Sequence, residues 1–302
     1  MKKFLVLLIC ILFFAAATAV CEDSYLITAP DGAPAVAAAG IFADHPDRVR
    51  KVAADTIAVE FANEESEFII APINAGAKLF RAGKSTYRLA AVVTWGNLVF
   101  ASQKEGFEPD MINGAKLTLF GENTINASIA LFILQNKGIV PSEIEYLAGA
   151  KNTQDLLMTD PEAIVMTAEP AATATKMKNE AVKTFSLNEL YKDVTGFDGF
   201  TQAGLFVREK DILENPEETN ARIAEIKASV ERVEADPEST AADAVAMEIL
   251  PNAKVALNAI PNCAIRYANA TEAKEQIETT ALIDLAQFGG EVPADDFYYA
   301  AE

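Results

Sequence analysis

The stretch Phe68-Ile69-Ile70-Ala71-Pro72-Ile73-Asn74-Ala75 joins a short apolar strand to the start of a helix rich in small residues. A helix start presents backbone N–H groups without partners and the positive end of the helix dipole, so it can receive a polar or anionic group. In open α/β sheets such junctions lie at the carboxyl ends of the strands, where ligands bind. The same junction recurs at Tyr25-Leu26-Ile27-Thr28-Ala29-Pro30-Asp31-Gly32-Ala33, Leu117-Thr118-Leu119-Phe120-Gly121-Glu122-Asn123-Thr124 and Ala163-Ile164-Val165-Met166-Thr167-Ala168-Glu169-Pro170. This repetition favours capture of a small molecule, although any α/β protein contains junctions of this kind.

The chain beyond residue 19 alternates strands with helices, which predicts an α/β fold of two lobes, each a mostly parallel sheet flanked by helices. A helix is expected over Ala33–Phe42 and a strand over Thr56–Phe61. The apolar run Arg88–Ala101, broken at Trp95-Gly96-Asn97, and the strand Phe200–Val207 are expected to cross between the lobes. The predicted organisation is a signal peptide over 1–19, lobe 1 over 20–101 plus 206–302, and lobe 2 over 102–205.

The first residues predict export. Lys2 and Lys3 precede the apolar run Phe4–Ala17, which ends in small residues as a secretory signal does. The run is shorter than the roughly 20 residues that span a membrane. Cleavage after Ala19 would give a soluble exported protein, whereas a lipoprotein signal would leave Cys21 acylated at the new N-terminus.

The composition excludes some partners. Removing Lys2 and Lys3 with the leader changes the formal charge from −19 to −21, and such a charge repels nucleic acid and anionic membrane surfaces. The single histidine, His45, lies in a polar turn and is interpreted as a surface residue. Cys263 could pair with Cys21 only if Cys21 is not acylated. The three cysteines do not form a disulfide framework.

The sequence does not carry a complete catalytic motif. Arg81-Ala82-Gly83-Lys84-Ser85 imitates the end of a phosphate-binding loop, but Lys78 stands where the loop needs glycine, and a strand follows instead of a helix. Neither G-x-S-x-G nor H-E-x-x-H nor paired C-x-x-C occurs, so hydrolase and zinc sites lack their nucleophile or ligands. We therefore expect a binding protein that is not an enzyme and uses no cofactor or metal.

The junctions, together with Val93-Thr94-Trp95-Gly96-Asn97 and the end Gly289-Gly290-Glu291-Val292-Pro293, resemble the solute-binding components of bacterial ABC importers. The nitrate/sulfonate/bicarbonate and thiamine-precursor branch is the most similar. The resemblance implies a type II periplasmic-binding fold that closes on a small-molecule ligand and delivers it to a membrane permease; a monomer is expected. The alternatives are an exported module feeding a membrane sensor and an enzyme similar to the pyrimidine-precursor synthases, which use a histidine and pyridoxal phosphate.

The expected ligand site collects side chains at the junctions and the crossing segments. Asn and Thr there are also ordinary helix caps. Trp95, the sole tryptophan, could stack on a planar ligand or belong to the core. Acidic residues in the cleft would suit a ligand with amino or N–H groups. The predicted ligand-binding residues are Asp31, Gly32, Asn74, Ala75, Trp95, Asn97, Asn123, Thr124, Thr167, Glu169 and Gln202.

Overall fold

A computed structural model describes residues 25–301, in which eleven strands and thirteen α-helices alternate. The strands are β1 Ile27–Pro30, β2 Val49–Val52, β3 Phe68–Pro72, β4 Arg88–Thr94, β5 Leu98–Ser102, β6 Lys116–Phe120, β7 Glu143–Leu147, β8 Ile164–Ala168, β9 Lys183–Ser186, β10 Ala203–Val207 and β11 Ile265–Asn269. The helices are α1 Ala33–Val36, α2 Ala39–Asp44, α3 Ile57–Asn63, α4 Ile73–Arg81, α5 Ile125–Asn136, α6 Ala150–Thr159, α7 Ala171–Lys178, α8 Leu187–Thr195, α9 Glu209–Glu214, α10 Pro216–Ala235, α11 Pro237–Ala246, α12 Ala253–Ala259 and α13 Lys274–Ile283.

Residues 1–24 lie outside the described part, and with them the predicted signal peptide and Cys21. Cys263 is buried in the first lobe, and it forms no disulfide with any residue of the described part, so its pairing with Cys21 stays a prediction. Among the helices of residues 25–301, none combines the length and the apolar character that crossing a membrane would need.

The strands form two sheets that repeat one arrangement. The first sheet has the order β11-β4-β10-β3-β1-β2, and the second has β7-β6-β8-β5-β9. β1 is parallel to β2 and β3, and β6 is parallel to β7 and β8. β10 and β5, which each arrive from the other sheet, are inserted antiparallel to both neighbours. They run antiparallel because each enters its sheet at the edge where the neighbouring parallel strands end. The sheets are therefore mixed, with parallel pairs on one side of the inserted strand, and the prediction that each sheet is mostly parallel is wrong.

Strand pairing corrects the expected lobe boundaries. Residues 98–101 were expected in lobe 1, but β5 is hydrogen-bonded to β8 and β9 of the second sheet. Residues 203–205 were expected in lobe 2, but β10 lies between β3 and β4 of the first sheet. We therefore define lobe 1 as residues 25–94 and 203–301, lobe 2 as residues 98–200, and the crossing segments as 95–97 and 201–202.

The segment Thr56–Phe61, expected to be a strand, forms the start of helix α3, with Thr56 as the N-cap and the rest inside the helix. Its β-branched residues favour a strand locally, but Ile57 and Phe61 are four positions apart and both are buried, whereas Val59 between them is 54% exposed. That spacing places the two buried side chains on one helix face. The helix expected over Ala33–Phe42 is divided into α1 and α2.

The inserted strand β10 depends on a glycine. A Cβ at Gly204 would lie 2.3 Å from Leu89 Cδ1 and 2.9 Å from the Ala91 carbonyl oxygen. Only a residue without a side chain lets β10 pack this closely against β4. The sheet of lobe 1 is covered on both faces by apolar clusters, and a further cluster fills lobe 2 around Phe100, Leu119 and Tyr191.

Candidate functional site in the cleft between the lobes

The carboxyl ends of the parallel strands of both lobes meet at the crossing segments. In lobe 1, Pro72 and Thr94 both pair with Ala203, so β3 and β4 end where β10 begins. In lobe 2, Ala168 pairs with Leu98, so β8 ends where β5 begins. The strand-to-helix junctions that the sequence singles out therefore lie along two facing edges, which is the position of ligand sites in open α/β sheets.

Asn97 is hydrogen-bonded to two other predicted residues, Glu169 and Gln202. Its carbonyl oxygen accepts a hydrogen bond from the Glu169 backbone N–H at 2.7 Å, and its Nδ2 donates to the Glu169 carbonyl at 2.6 Å. Its Oδ1 accepts from Gln202 Nε2 at 2.9 Å. These bonds connect both crossing segments to the end of β8 and fix the position of Glu169.

Glu169 places a buried carboxylate at the start of α7. The residue is 5% exposed, and its Oε2 and Oε1 accept from the Thr173 N–H and Oγ1, each at 2.9 Å. Burial raises the pKa of Glu169, while the hydrogen bonds from Thr173 and the charge of Lys176 oppose that shift. The carboxylate caps the N-terminus of α7, and it is an ionisable group beside the cleft.

Thr173 also connects the two lobes, because its Oγ1 accepts from Asn262 Nδ2 of lobe 1 at 3.0 Å. Elsewhere between the lobes, at the end of α13, Ser128 Oγ donates to Asp284 Oδ2 at 2.7 Å. Gln287 Nε2 donates to the Asn123 carbonyl at 2.8 Å. Side-chain hydrogen bonds thus join the lobes at several places outside the crossing segments.

A cavity of about 360 Å³ opens between the lobes next to Glu169. Its volume lies in the range of small-molecule sites, roughly 300–1,000 Å³. Its lining carries carboxylates, hydroxyls, amides and one lysine, and both lobes contribute. The lining residues are Val99, Glu169, Thr173, Lys176, Thr184, Ser186, Asn188 and Glu189 of lobe 2, and Pro261, Asn262 and Ala264 of lobe 1.

The predicted residues of lobe 1 lie at the junctions and do not line this cavity. Asp31 is exposed and pairs with Lys51 at 3.1 Å. Gly32 has a φ of +100° with open space around it. Asn74 and Ala75 are half-buried in the first turn of α4, which has no side-chain cap.

The predicted residues of lobe 2 other than Glu169 also lie outside the cavity. Asn123 is exposed, and Thr124 begins α5 without capping it, since its Oγ1 donates to the Gly121 carbonyl at 2.6 Å. Thr167 is buried, and its hydroxyl accepts from Gln154 Nε2 at 3.1 Å. Ligand contact by these residues stays a prediction.

Trp95 is enclosed by protein. Its side chain is 2% exposed in the core of lobe 1, and its Nε1 donates to the Arg266 carbonyl at 3.0 Å. The Arg266 guanidinium lies 4.3 Å from the ring centroid and pairs with Asp198 of lobe 2 at 3.0 Å. In this conformation the ring is covered by protein groups, and its contact with a ligand stays a prediction.

Several residues of the cavity are not among the ligand-binding residues predicted from the sequence, for example Thr173, Lys176 and Asn188. Thr173 follows Glu169 by four positions, so helical spacing could have indicated that it contacts the carboxylate. Asn262 lies 89 positions from Thr173, and no local signal joins them. No group of three or more His, Cys, Asp or Glu side chains within residues 25–301 is arranged to hold a metal ion.

No protein-family model matches the chain, and no curated protein matches its sequence. Solved structures do. An ABC transporter protein from Parabacteroides distasonis has a TM-score of 0.77 at 19% identity, covering 92% of this chain and 99% of its own. The aliphatic sulphonate binding protein SsuA of Escherichia coli has a TM-score of 0.70 at 13% identity, and the match covers 92% of each chain.

The alkanesulfonate-binding protein SsuA of Xanthomonas axonopodis pv. citri, solved with MOPS bound, has a TM-score of 0.66 at 12% identity, and the match covers 92% of this chain and 98% of that one. Identities this low establish the fold alone. The shared fold confirms the predicted two-lobed α/β fold class and the resemblance from which it was expected, but the sheets are mixed and not mostly parallel. This chain has the two-lobed periplasmic-binding fold that it shares with the solute-binding proteins of ABC importers.

Proposed function

We propose that the protein is the extracytoplasmic solute-binding component of an ABC importer. It captures a small polar or heterocyclic nutrient between its lobes and delivers it to a membrane permease, and it acts as a monomer without catalysing a reaction. The mature chain follows a signal peptide and is either free outside the cytoplasmic membrane or anchored there by lipid on Cys21.

The observation that carries this proposal is the cavity between the lobes, beside the segments that join them. Asn262 from lobe 1 and Glu169 from lobe 2 line the same cavity, so a ligand there would contact both lobes. Such contacts favour the closed arrangement over an open one, because they form only when the lobes meet. The similar structures, which are named as an ABC transporter protein and as two sulfonate-binding proteins, support the same function.

A thermal-shift screen tests the proposal with sulfonates, nitrate, pyrimidines, polyamines and amino acids. A ligand that binds only the native state stabilises it by about 2.7 kcal/mol at roughly a hundredfold excess over its Kd. We expect one of these classes to raise the Tm. Unchanged Tm values together with catalytic turnover of any of these solutes would contradict the proposal.

Paired variants locate the binding event. Asn262→Ala removes a cavity side chain and an interlobe hydrogen bond, so it should weaken binding of the solute found in the screen. Asn136→Ala is the control, since Asn136 is exposed on α5 and its Nδ2 bonds only to the Phe132 carbonyl. Equal losses from both variants would place the ligand elsewhere.

A further inference from the structure

The lining of the cavity between the lobes has one more carboxylate than ammonium group; Glu169 is buried, whereas Glu189 and Lys176 are exposed to solvent. The lining includes the carboxylates of Glu169 and Glu189 and the ammonium of Lys176. Within residues 25–301, none of these three groups has an ion-pair partner within 4.0 Å, whereas many other charged side chains of the protein are paired. Two negative charges and one positive charge leave a net charge of −1, which a ligand with one positive charge would balance.

The Glu169 carboxylate has capacity for further hydrogen bonds. An ionised carboxylate offers about four lone-pair sites, and the Thr173 N–H and hydroxyl occupy two of them. Both of these bonds come from the helix that follows Glu169 in sequence, and they hold the carboxylate in place. N–H donors of a ligand could occupy the remaining sites, and charge-assisted hydrogen bonds of this kind are about twice as strong as neutral ones.

We propose that the cavity selects a small organic cation whose N–H groups donate to the Glu169 carboxylate. The inference rests on the proposed function and names the ligand class of that cleft. A sulfonate, which the similar SsuA proteins are named for, would bring a further negative charge to a lining whose formal net charge is already −1, and it would be repelled. The hydroxyls of Thr184 and Ser186 add neutral polar groups that accommodate a cation.

The Glu169 carboxylate is also connected to lobe 1 through the Thr173 hydroxyl. Thr173 donates to Glu169 Oε1 and accepts from Asn262 of lobe 1 through one hydroxyl. A cation bound to Glu169 therefore keeps the carboxylate ionised, which preserves the acceptor that orients the Thr173 hydroxyl towards Asn262.

Three probes of similar shape and different charge test the inference: benzamidine, a cation with N–H donors; benzamide, its neutral analogue; and benzenesulfonate, an anion. Isothermal titration calorimetry on the wild-type protein should give at least tenfold tighter binding of benzamidine than of benzamide, and no binding of benzenesulfonate. This comparison needs no variant, so it holds even if a substitution disturbs folding.

Glu169→Gln should lower the ratio of the benzamide Kd to the benzamidine Kd at least tenfold. Glu122→Gln is the matched control, because Glu122 is exposed and does not line the cavity, and it should keep the preference. Circular dichroism establishes that both variants fold. The inference is overturned if benzenesulfonate binds while benzamidine does not, if no probe binds, or if Glu169→Gln keeps the preference. A sulfonate or nitrate hit in the wider screen would then leave the proposed function standing with an anionic ligand.

Discussion

Thr173→Val tests whether one hydroxyl joins the ligand cavity to the opposite lobe. Valine has nearly the shape of threonine, so the substitution removes the hydroxyl and leaves the packing of the buried side chain almost unchanged. Two hydrogen bonds are lost: the donation to Glu169 Oε1 at 2.9 Å and the acceptance from Asn262 Nδ2 at 3.0 Å. The Thr173 backbone N–H still bonds to Glu169 Oε2.

The expected cost follows from these two bonds. A hydrogen bond to a charged group contributes about 1.5–3 kcal/mol, and a neutral one about 0.5–1.5 kcal/mol. The bond from Asn262 belongs at the low end, because Asn262 is exposed and water can replace its partner. We therefore expect Thr173→Val to lower the free energy of unfolding by roughly 2–4 kcal/mol.

Urea unfolding followed by circular dichroism measures this cost. Thr175→Val is the matched control on the same helix, since Thr175 is also buried but its hydroxyl bonds only to the Ala171 carbonyl of the preceding turn. A double-mutant cycle with Asn262→Ala isolates the interlobe bond from the bond to Glu169. Equal costs for the two valine variants, or no coupling in the cycle, would refute the role given to this hydroxyl.

Three further predictions concern other parts of the chain. Burial raises the pKa of Glu169 in the folded state, so the folded protein binds that proton more tightly than the unfolded chain does. The stability of the wild type relative to Glu169→Gln should therefore be greatest in acid and should fall as the pH rises through the raised pKa. Urea titrations at several pH values would measure this. Trp95→Ala should lower the free energy of unfolding by about 3–5 kcal/mol, because the indole is buried in the core of lobe 1. Urea unfolding followed by circular dichroism would measure this loss. A small loss, together with ligand-dependent indole emission in the wild type, would instead support the contact with a ligand that the sequence predicts. Mass spectrometry of the protein from its native envelope should show that the first 19 or 20 residues are absent; a diacylglyceryl mass on Cys21 would identify a lipoprotein, and an intact Met1 would contradict export.

The sequence by itself determined the elements whose pattern is local. The four junctions quoted from the sequence are strands that lead into helices in the structure: β1 into α1, β3 into α4, β6 into α5 and β8 into α7. The break at Trp95-Gly96-Asn97 could be predicted because Gly96 and Asn97 interrupt an apolar run. In the structure these three residues form a crossing segment between β4 and β5. Such features depend on neighbours a few residues away, which periodicity and turn chemistry capture.

Only the tertiary structure decided which strand inserts into which sheet and which residues form the cavity. Asn97 meets Glu169 across 72 positions and Gln202 across 105, and Thr173 meets Asn262 across 89. The helical state of Thr56–Phe61 was decided in the same way, because burial of Ile57 and Phe61 against lobe 1 outweighed a local preference for strand. Hydrogen bonds and burial between distant segments form only when the whole chain is compact, so no local pattern in the sequence encodes them separately.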